Sequence, residues 1–413
     1  MSSSQGSALT LADVQAARRR IADGVAVTPC AASIPLSEIC GCHIYCKADY
    51  LQRTGSFKER GARNALLLLN DEQRRRGVIA ASAGNHALGL AYHGQLLGIP
   101  VNVVMPTYAP LIKVATCRRL GANVIVHGTS FVEARAHADE LVKQRGYTYI
   151  HGFDDPAVIA GQGTMGLEIL EQVPNVDAIV APIGGGGLIA GLGLAVKSLR
   201  PNVKLIGVEA EHAPSYTAAL AAGKPVMSDT KPTLADGLAV GRVGDNAFAI
   251  ARRYVDRVVA VDEEALALAV FRLIELEKSV IEGAAASPLA AFLRDGLKEL
   301  RGQHVVLTLC GGNIDLNILD RIIEVGLVAD GRLCRFGAVI SDRPGGLARL
   351  AALIASTGAS IKDIAHDRTF SGPDVATVRT ICVAETSDRA HIEKLYRTLR
   401  DGGIDVIPDT PRA

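Results

Sequence analysis

The chain is predicted to be an α/β protein whose parallel sheets are covered by helices, followed by a small βαββαβ module. Three observations predict this. From about residue 44, short β-branched runs bounded by Gly, Pro or Asn alternate with segments of helical period. A length of 413 residues exceeds one ordinary domain and can bury two or three cores. Near residues 327–332 the pattern changes, and the order after it is strand, helix, strand, strand, helix, strand.

Composition narrows the classes of function. Hydrophobic residues at 48% and charged residues at 21% are the make-up of a soluble globular protein. A formal net charge of +1 excludes a global basic field that would recruit nucleic acid or anionic membrane. The runs Arg18-Arg19-Arg20 and Arg74-Arg75-Arg76 are short and lie in helical stretches, which makes them solvated faces. A polar start leads into Thr10-Leu11-Ala12-Asp13, a helix start, with neither a secretory signal nor a membrane-spanning apolar run. A cytosolic chain is expected. Eight cysteines without regular spacing imply reduced, buried thiols. Cys40, Cys42 and Cys46 crowd around His43, but Cys42, Ile44 and Cys46 alternate as one strand face would, so core packing is the reading and not a metal site.

The elements follow in order. Strands are expected at residues 101–106, 123–126, 177–182, 203–208 and 304–309, and helices at 85–97 and 263–277 among others. Repeated strand-helix-strand units imply parallel sheets with helices on both faces, whose active sites gather at the carboxyl ends of the strands. Val328-Ala329-Asp330-Gly331-Arg332 reads as a linker, placing a domain boundary after residue 330. Beyond it, strand 334–340, helix 345–357, strands 360–366 and 375–384, helix 389–402 and strand 405–407 form a ferredoxin-like unit.

Four stretches carry chemistry. In Thr54-Gly55-Ser56-Phe57-Lys58, a turn opens a helix at Lys58 beside an apolar wall. A lysine amine becomes a nucleophile when desolvation or nearby cations lower its pKa; otherwise it is a solvated helical charge. Ser82-Ala83-Gly84-Asn85-His86-Ala87 follows an apolar stretch and opens a helix, so its N–H groups suit a carboxylate, with a simple Ser82 N-cap as the alternative. Gly184-Gly185-Gly186-Gly187-Leu188 follows the 177–182 strand, and without β-carbons its N–H groups can converge on a phosphate. The same turn satisfies a GxGxxA dinucleotide fingerprint, with Glu209 where a ribose-binding acid belongs; this NAD(P)-dependent oxidoreductase reading leaves Lys58 and the 82–87 box without a role. Cys310-Gly311-Gly312-Asn313 ends the last strand of the large unit.

The Lys58 segment closely resembles the Ser-Phe-Lys box of the fold type II pyridoxal-phosphate enzymes, in the threonine/serine dehydratase branch. Further boxes at residues 82–87, 160–168, 184–188, 235–239, 282–284 and 310–313 extend the resemblance from about Thr28 to Asn313. It implies a two-lobed, tryptophan synthase β-like catalytic domain over residues 1–330, with a small lobe at about 50–155 inserted in the large one. It implies pyridoxal 5'-phosphate as cofactor, carried by Lys58 as a Schiff base beside Phe57. By the same resemblance Asn85 bonds the phenolic oxygen, and Gly184, Gly185, Gly186, Gly187 and Leu188 hold the phosphate. Ser82, Ala83, Gly84, Asn85 and His86 receive the substrate carboxylate, and Cys310 faces the pyridine nitrogen, where a neutral partner weakens the electron sink and suits β-elimination. Glu282 falls near the cofactor, in positioning or in proton transfer.

The expected activity is deamination of threonine, with serine as second substrate; serine racemase and hydroxyaspartate dehydratase are the alternatives. The racemase branch has a serine where this chain has Ala83, which disfavours racemisation. Its metal site has an acidic side chain where Ser215 stands, leaving Glu209 a weak candidate ligand and no metal expected. Ser341-Asp342-Arg343-Pro344-Gly345-Gly346-Leu347 with His366-Asp367-Arg368 resembles an ACT domain, expected at 331–413. The resemblance implies either a dimerisation surface or an effector site near Asp342, Pro344, Gly345 and Leu347 for an amino acid such as isoleucine or valine. A homodimer or homotetramer is expected.

Overall fold

The computed structural model describes residues 9–294, 296–367 and 376–409. The chain divides into two compact units, one ending at Ile314 and the other beginning at Asp315. The boundary therefore precedes the expected one. The linker expected at 327–332 is the end of helix Leu316–Ala329, which belongs to the second unit, and the turn after it.

The first unit holds two sheets. The larger runs, in spatial order, Cys30–Ser33, His43–Lys47, His304–Thr308, Ala178–Pro182, Lys204–Ala210 and Arg257–Val261. Only its first pair is antiparallel. Ala178–Pro182 is buried along its whole length, as a central strand covered on both faces must be. The smaller sheet runs Asn123–Val126, Val101–Met105, Val78–Ala81, Thr148–Tyr149, all parallel. Its strands fall in the chain between His43–Lys47 and Ala178–Pro182 of the larger sheet.

Helix Asn85–Leu97 and helix Glu263–Glu277 have the expected bounds, and the predicted strands are found with ends shifted by a residue or two. Ile44 and Cys46 point into the core from strand His43–Lys47, with Cys42 buried just before it, and all eight cysteines are free thiols. Arg18, Arg19 and Arg20 occupy the last turn of Leu11–Ile21, and Arg74, Arg75 and Arg76 that of Asp71–Arg76. Cations there complement the negative end of each helix dipole. Among the described residues, no helix is long and apolar enough to cross a membrane.

The second unit has the order Ser360–Asp367, Thr377–Glu385, Leu333–Ser341, Asp405–Pro408 in one antiparallel sheet. With helices Gly346–Ser356 and Arg389–Asp401 it is the ferredoxin-like βαββαβ fold. Leu350, Ile354, Leu395 and Leu399 from the helices close its core against Phe336, Ala338, Ile340 and Val378. Arg368, and the start of the strand expected at 375, lie outside the described residues.

Candidate active site

Lys58 is the first residue of helix Lys58–Leu67. The loop before it turns through Gly55 at φ +77°, a conformation that favours glycine, and is stitched to the end of strand His304–Thr308. The Phe57 N–H donates to the Cys310 carbonyl and the Gly312 N–H to the Gly55 carbonyl, both at 2.9 Å. Two segments far apart in the chain thus meet at the carboxyl end of a central strand. The Lys58 ammonium donates to the Gly152 carbonyl at 2.6 Å. Burial pushes its pKa down to about 8, against the opposing fields of Cys310 and Glu282.

The helix is held two residues further on. Arg60 Nε lies 2.6 Å from Asp49 Oδ2, Arg60 NH1 lies 2.6 Å from Glu168 Oε1, and Lys47 Nζ lies 2.6 Å from Glu168 Oε2. All four side chains are buried, and two cations balance two carboxylates. Thr28 and Thr164 satisfy further donors and acceptors of the cluster. A closed cluster of this kind tolerates burial where a single charge would not.

The 82–87 box opens helix Asn85–Leu97, but its N-cap is Gly84 and not Ser82. No side chain caps the helix, so its first-turn N–H groups remain available to an anion. The His86 ring turns away toward the Ile150 carbonyl, 3.0 Å from Nε2, and burial drives its pKa down to about 3. His86 is therefore a neutral ring at the start of this helix and not a charge on it.

Opposite lies a second uncapped helix, Gly187–Leu199, whose N-cap Gly186 has φ +91°. A β-carbon at Gly185 would run into the Phe153 ring, and one at Gly187 into the Phe153 backbone. Glycine is required here by close packing as well as by access of an anion to the N–H groups. Burial holds the Cys310 thiol well above its ordinary pKa, so it faces the cavity neutral. Glu282 accepts from Asn85 Nδ2 at 2.8 Å, and burial, then Asp236, push its carboxyl up to about 7.

A cavity of about 760 Å³ brings the sequence-selected residues together: Phe57, Lys58, residues 82–86, residues 184–188, Glu282 and Cys310 all line it. Glu209 does not. It is buried on strand Lys204–Ala210, and its carboxylate accepts from the backbone N–H of Tyr216 at 3.1 Å and of Thr217 at 3.3 Å. Those donors occupy it at the start of helix Ser215–Ala222, which removes it as a ribose-binding acid. Among the described residues no cluster of three metal-ligating side chains occurs. Asp342, Pro344 and Gly345 lie in the second unit, at the turn between Leu333–Ser341 and Gly346–Ser356, and Leu347 lies in the first turn of that helix. Sequence reasoning missed Gly152 and Phe153, and it matched the 235–239 box without giving Asp236 a role; all three also line the cavity. The run His151-Gly152-Phe153-Asp154-Asp155-Pro156, a turn ahead of a long helix, was the available signal for the first two.

The family model for pyridoxal-phosphate dependent enzymes matches residues 21–311. The chain belongs to that family. It is 45% identical to the L-threonine ammonia-lyase of Thermotoga maritima over 96% of this chain and 99% of that protein. The L-threonine ammonia-lyase of Geobacter sulfurreducens is 44% identical over 95% and 98%. Among solved structures, the processed form of threonine deaminase isoform 2 from Solanum lycopersicum superposes with a TM-score of 0.74 at 38% identity, covering 77% of this chain and 87% of that one. Maize serine racemase gives 0.73 at 34%, covering 78% and 99%. These matches overturn the oxidoreductase alternative.

The site fits the cofactor that defines the family. Three glycines without β-carbons lead into an uncapped helix that begins at the fourth, Gly187, suited to a phosphate. The buried Lys58 amine, poised near neutrality, suits a carbonyl, and the neutral Cys310 thiol lines the same cavity.

Proposed function

We propose that this chain is a pyridoxal-phosphate dependent L-threonine ammonia-lyase that also accepts L-serine, releasing 2-oxobutanoate or pyruvate together with ammonia. The observation that carries the reading is the Lys58 amine, lowered to about 8 in a cavity flanked by two uncapped helix N-termini. The full-length likeness to L-threonine ammonia-lyases supports the substrate.

Bound there, pyridoxal phosphate supplies an aldehyde for an amine and a conjugated ring that draws electrons from the substrate α-carbon. Lys58, residues 184–188, Asn85 and Cys310, which line one cavity, would hold it. The N–H groups of the 82–86 box bind the substrate carboxylate and fix which α-substituent faces Lys58. Lys58 Nζ would take up the substrate α-proton as general base; its lowered pKa keeps it competent near neutral pH. The neutral Cys310 thiol donates no full charge toward the ring, which favours elimination of the β-hydroxyl over transamination.

Serine racemisation is the second reading, favoured by the structural likeness to maize serine racemase. Against it, Ala83 lines the cavity where a second acid/base would stand. Ketoacid release from threonine, serine and hydroxyaspartate, with chiral analysis of residual serine, tests both. Release from threonine faster than any racemisation is expected; racemisation of serine without ketoacid would overturn the assignment.

We infer that the second unit binds an amino-acid effector at the Asp342–Leu347 turn. The uncapped start of helix Gly346–Ser356, behind Gly345 at φ +99°, supports an anion-receiving role there. We also propose a homodimer or homotetramer, which the exposed Ile381 and Ile407 on either side of Gly337 support.

A further inference from the structure

Asn313 closes the turn that follows Cys310, and the orientation of its amide can be derived from a fixed point. The Thr54 backbone carbonyl can only accept, and Asn313 Nδ2 lies 2.7 Å from it. The amide therefore turns its NH₂ side toward Thr54. The same Nδ2 lies 2.8 Å from the Asn85 side chain, and an NH₂ group has no lone pair to offer, so Asn85 must present Oδ1 to it. The Asn85 NH₂ then points the other way, 2.8 Å from Glu282 Oε1, with one N–H left over.

The surroundings make room for this arrangement. A β-carbon at Gly55 would stand 2.7 Å from Asn313 Oδ1, and one at Gly311 would overlap the Glu282 carboxylate. The Asn313 backbone N–H also favours the ionised form of Glu282, so the residue touches both Asn85 and the acceptor of Asn85.

We propose that Asn313 is a positioning residue, which transmits the direction of the Thr54 carbonyl to Asn85 so that Asn85 always offers an N–H to an acceptor oxygen on the cofactor. The proposal rests on the cofactor reading above. Without the Asn313 donor only the Glu282 contact orients the Asn85 amide, and a flipped amide would turn its Oδ1 toward that oxygen in repulsion.

The test uses the full chain, its cofactor removed and returned by titration, with visible absorbance as readout beside kcat and KM for threonine. Asn313→Ala is expected to weaken cofactor binding about tenfold and to shift the absorbance maximum, as loss of one buried hydrogen bond predicts. Asn313→Asp, nearly isosteric, puts an acceptor where the donor stood and is expected to weaken binding at least as much. It carries the same comparison should the alanine variant fail to fold. In an Asn85→Ala background, Asn313→Ala is expected to add less than about twofold, because the two act as one unit. Parent-like affinity and spectrum in both Asn313 variants, or the full loss repeated in the Asn85→Ala background, would overturn the proposal. A parent chain that takes up no pyridoxal phosphate overturns instead the reading beneath it, and that outcome is seen on the parent alone.

Discussion

The Lys58 ammonium donates to the carbonyl of Gly152 across 2.6 Å, and this contact anchors a buried charge that the surroundings otherwise disfavour. Burial lowers the pKa to about 8 from an ordinary 10.5, so the neutral amine becomes the major form once pH exceeds about 8. The rate at which cofactor-free protein captures pyridoxal phosphate is therefore expected to rise as pH increases through about 8 and then level off. Stopped-flow absorbance checks it, and a capture rate that falls over this range contradicts the assigned direction. Lys58→Ala is expected to abolish both threonine deamination and the visible absorbance; a variant retaining both removes Lys58 from the mechanism.

The cluster of Arg60, Asp49, Glu168 and Lys47 holds the Lys58 helix from below the site. Glu168→Ala leaves two buried cations facing one carboxylate and is expected to cost about 3–5 kcal/mol of stability. Denaturant unfolding measures it, and a loss under about 1 kcal/mol would show that the cluster relaxes to admit water.

Ala83 lines the cavity and carries no hydroxyl, and on the proposed reading nothing there can protonate the far face of the substrate. Ala83→Ser is expected to raise serine racemisation severalfold at the expense of elimination. Chiral product analysis decides it; an unmodified chain already racemising as fast as it eliminates refutes the role given to Ala83.

The effector reading predicts that isoleucine or valine changes the threonine KM or kcat of the full chain, and that Asp342→Ala abolishes the response while leaving basal activity intact. An effector acts only by binding one conformational state better than another. Steady-state kinetics with each amino acid provide the test, and a response unchanged by Asp342→Ala excludes this turn as the sensor.

Much of the molecule was legible before folding because its signals are local. Strand Ala178–Pro182 is apolar and β-branched at its centre, the glycine tetrad follows it directly, and Lys58 sits in a turn-helix box of specific composition. The βαββαβ order of the second unit could be read from alternation and turn residues alone, since register and helix faces follow from periods of 2 and 3.6. The domain boundary was not legible in the same way. The glycine and aspartate near residue 330 signal only a turn, whereas helix Leu316–Ala329 belongs with the second unit by its packing.

What the sequence by itself determined was the inventory: a lysine, two helix starts, a bare glycine turn and a cysteine at a strand end, each readable within a few residues. Tertiary structure alone decided which of these groups share a cavity and how each is protonated. Glu209 and Glu282 illustrate the physical reason, being identical in covalent chemistry. Burial raises both carboxyls, but Glu209 is held by the backbone donors of Tyr216 and Thr217 at a helix start, whereas Glu282 lines the cavity beside Asn85 and is raised to about 7. Desolvation and hydrogen-bond partners come from residues distant in the chain, so no reading of neighbours along the sequence could assign those two carboxylates their different partners and places.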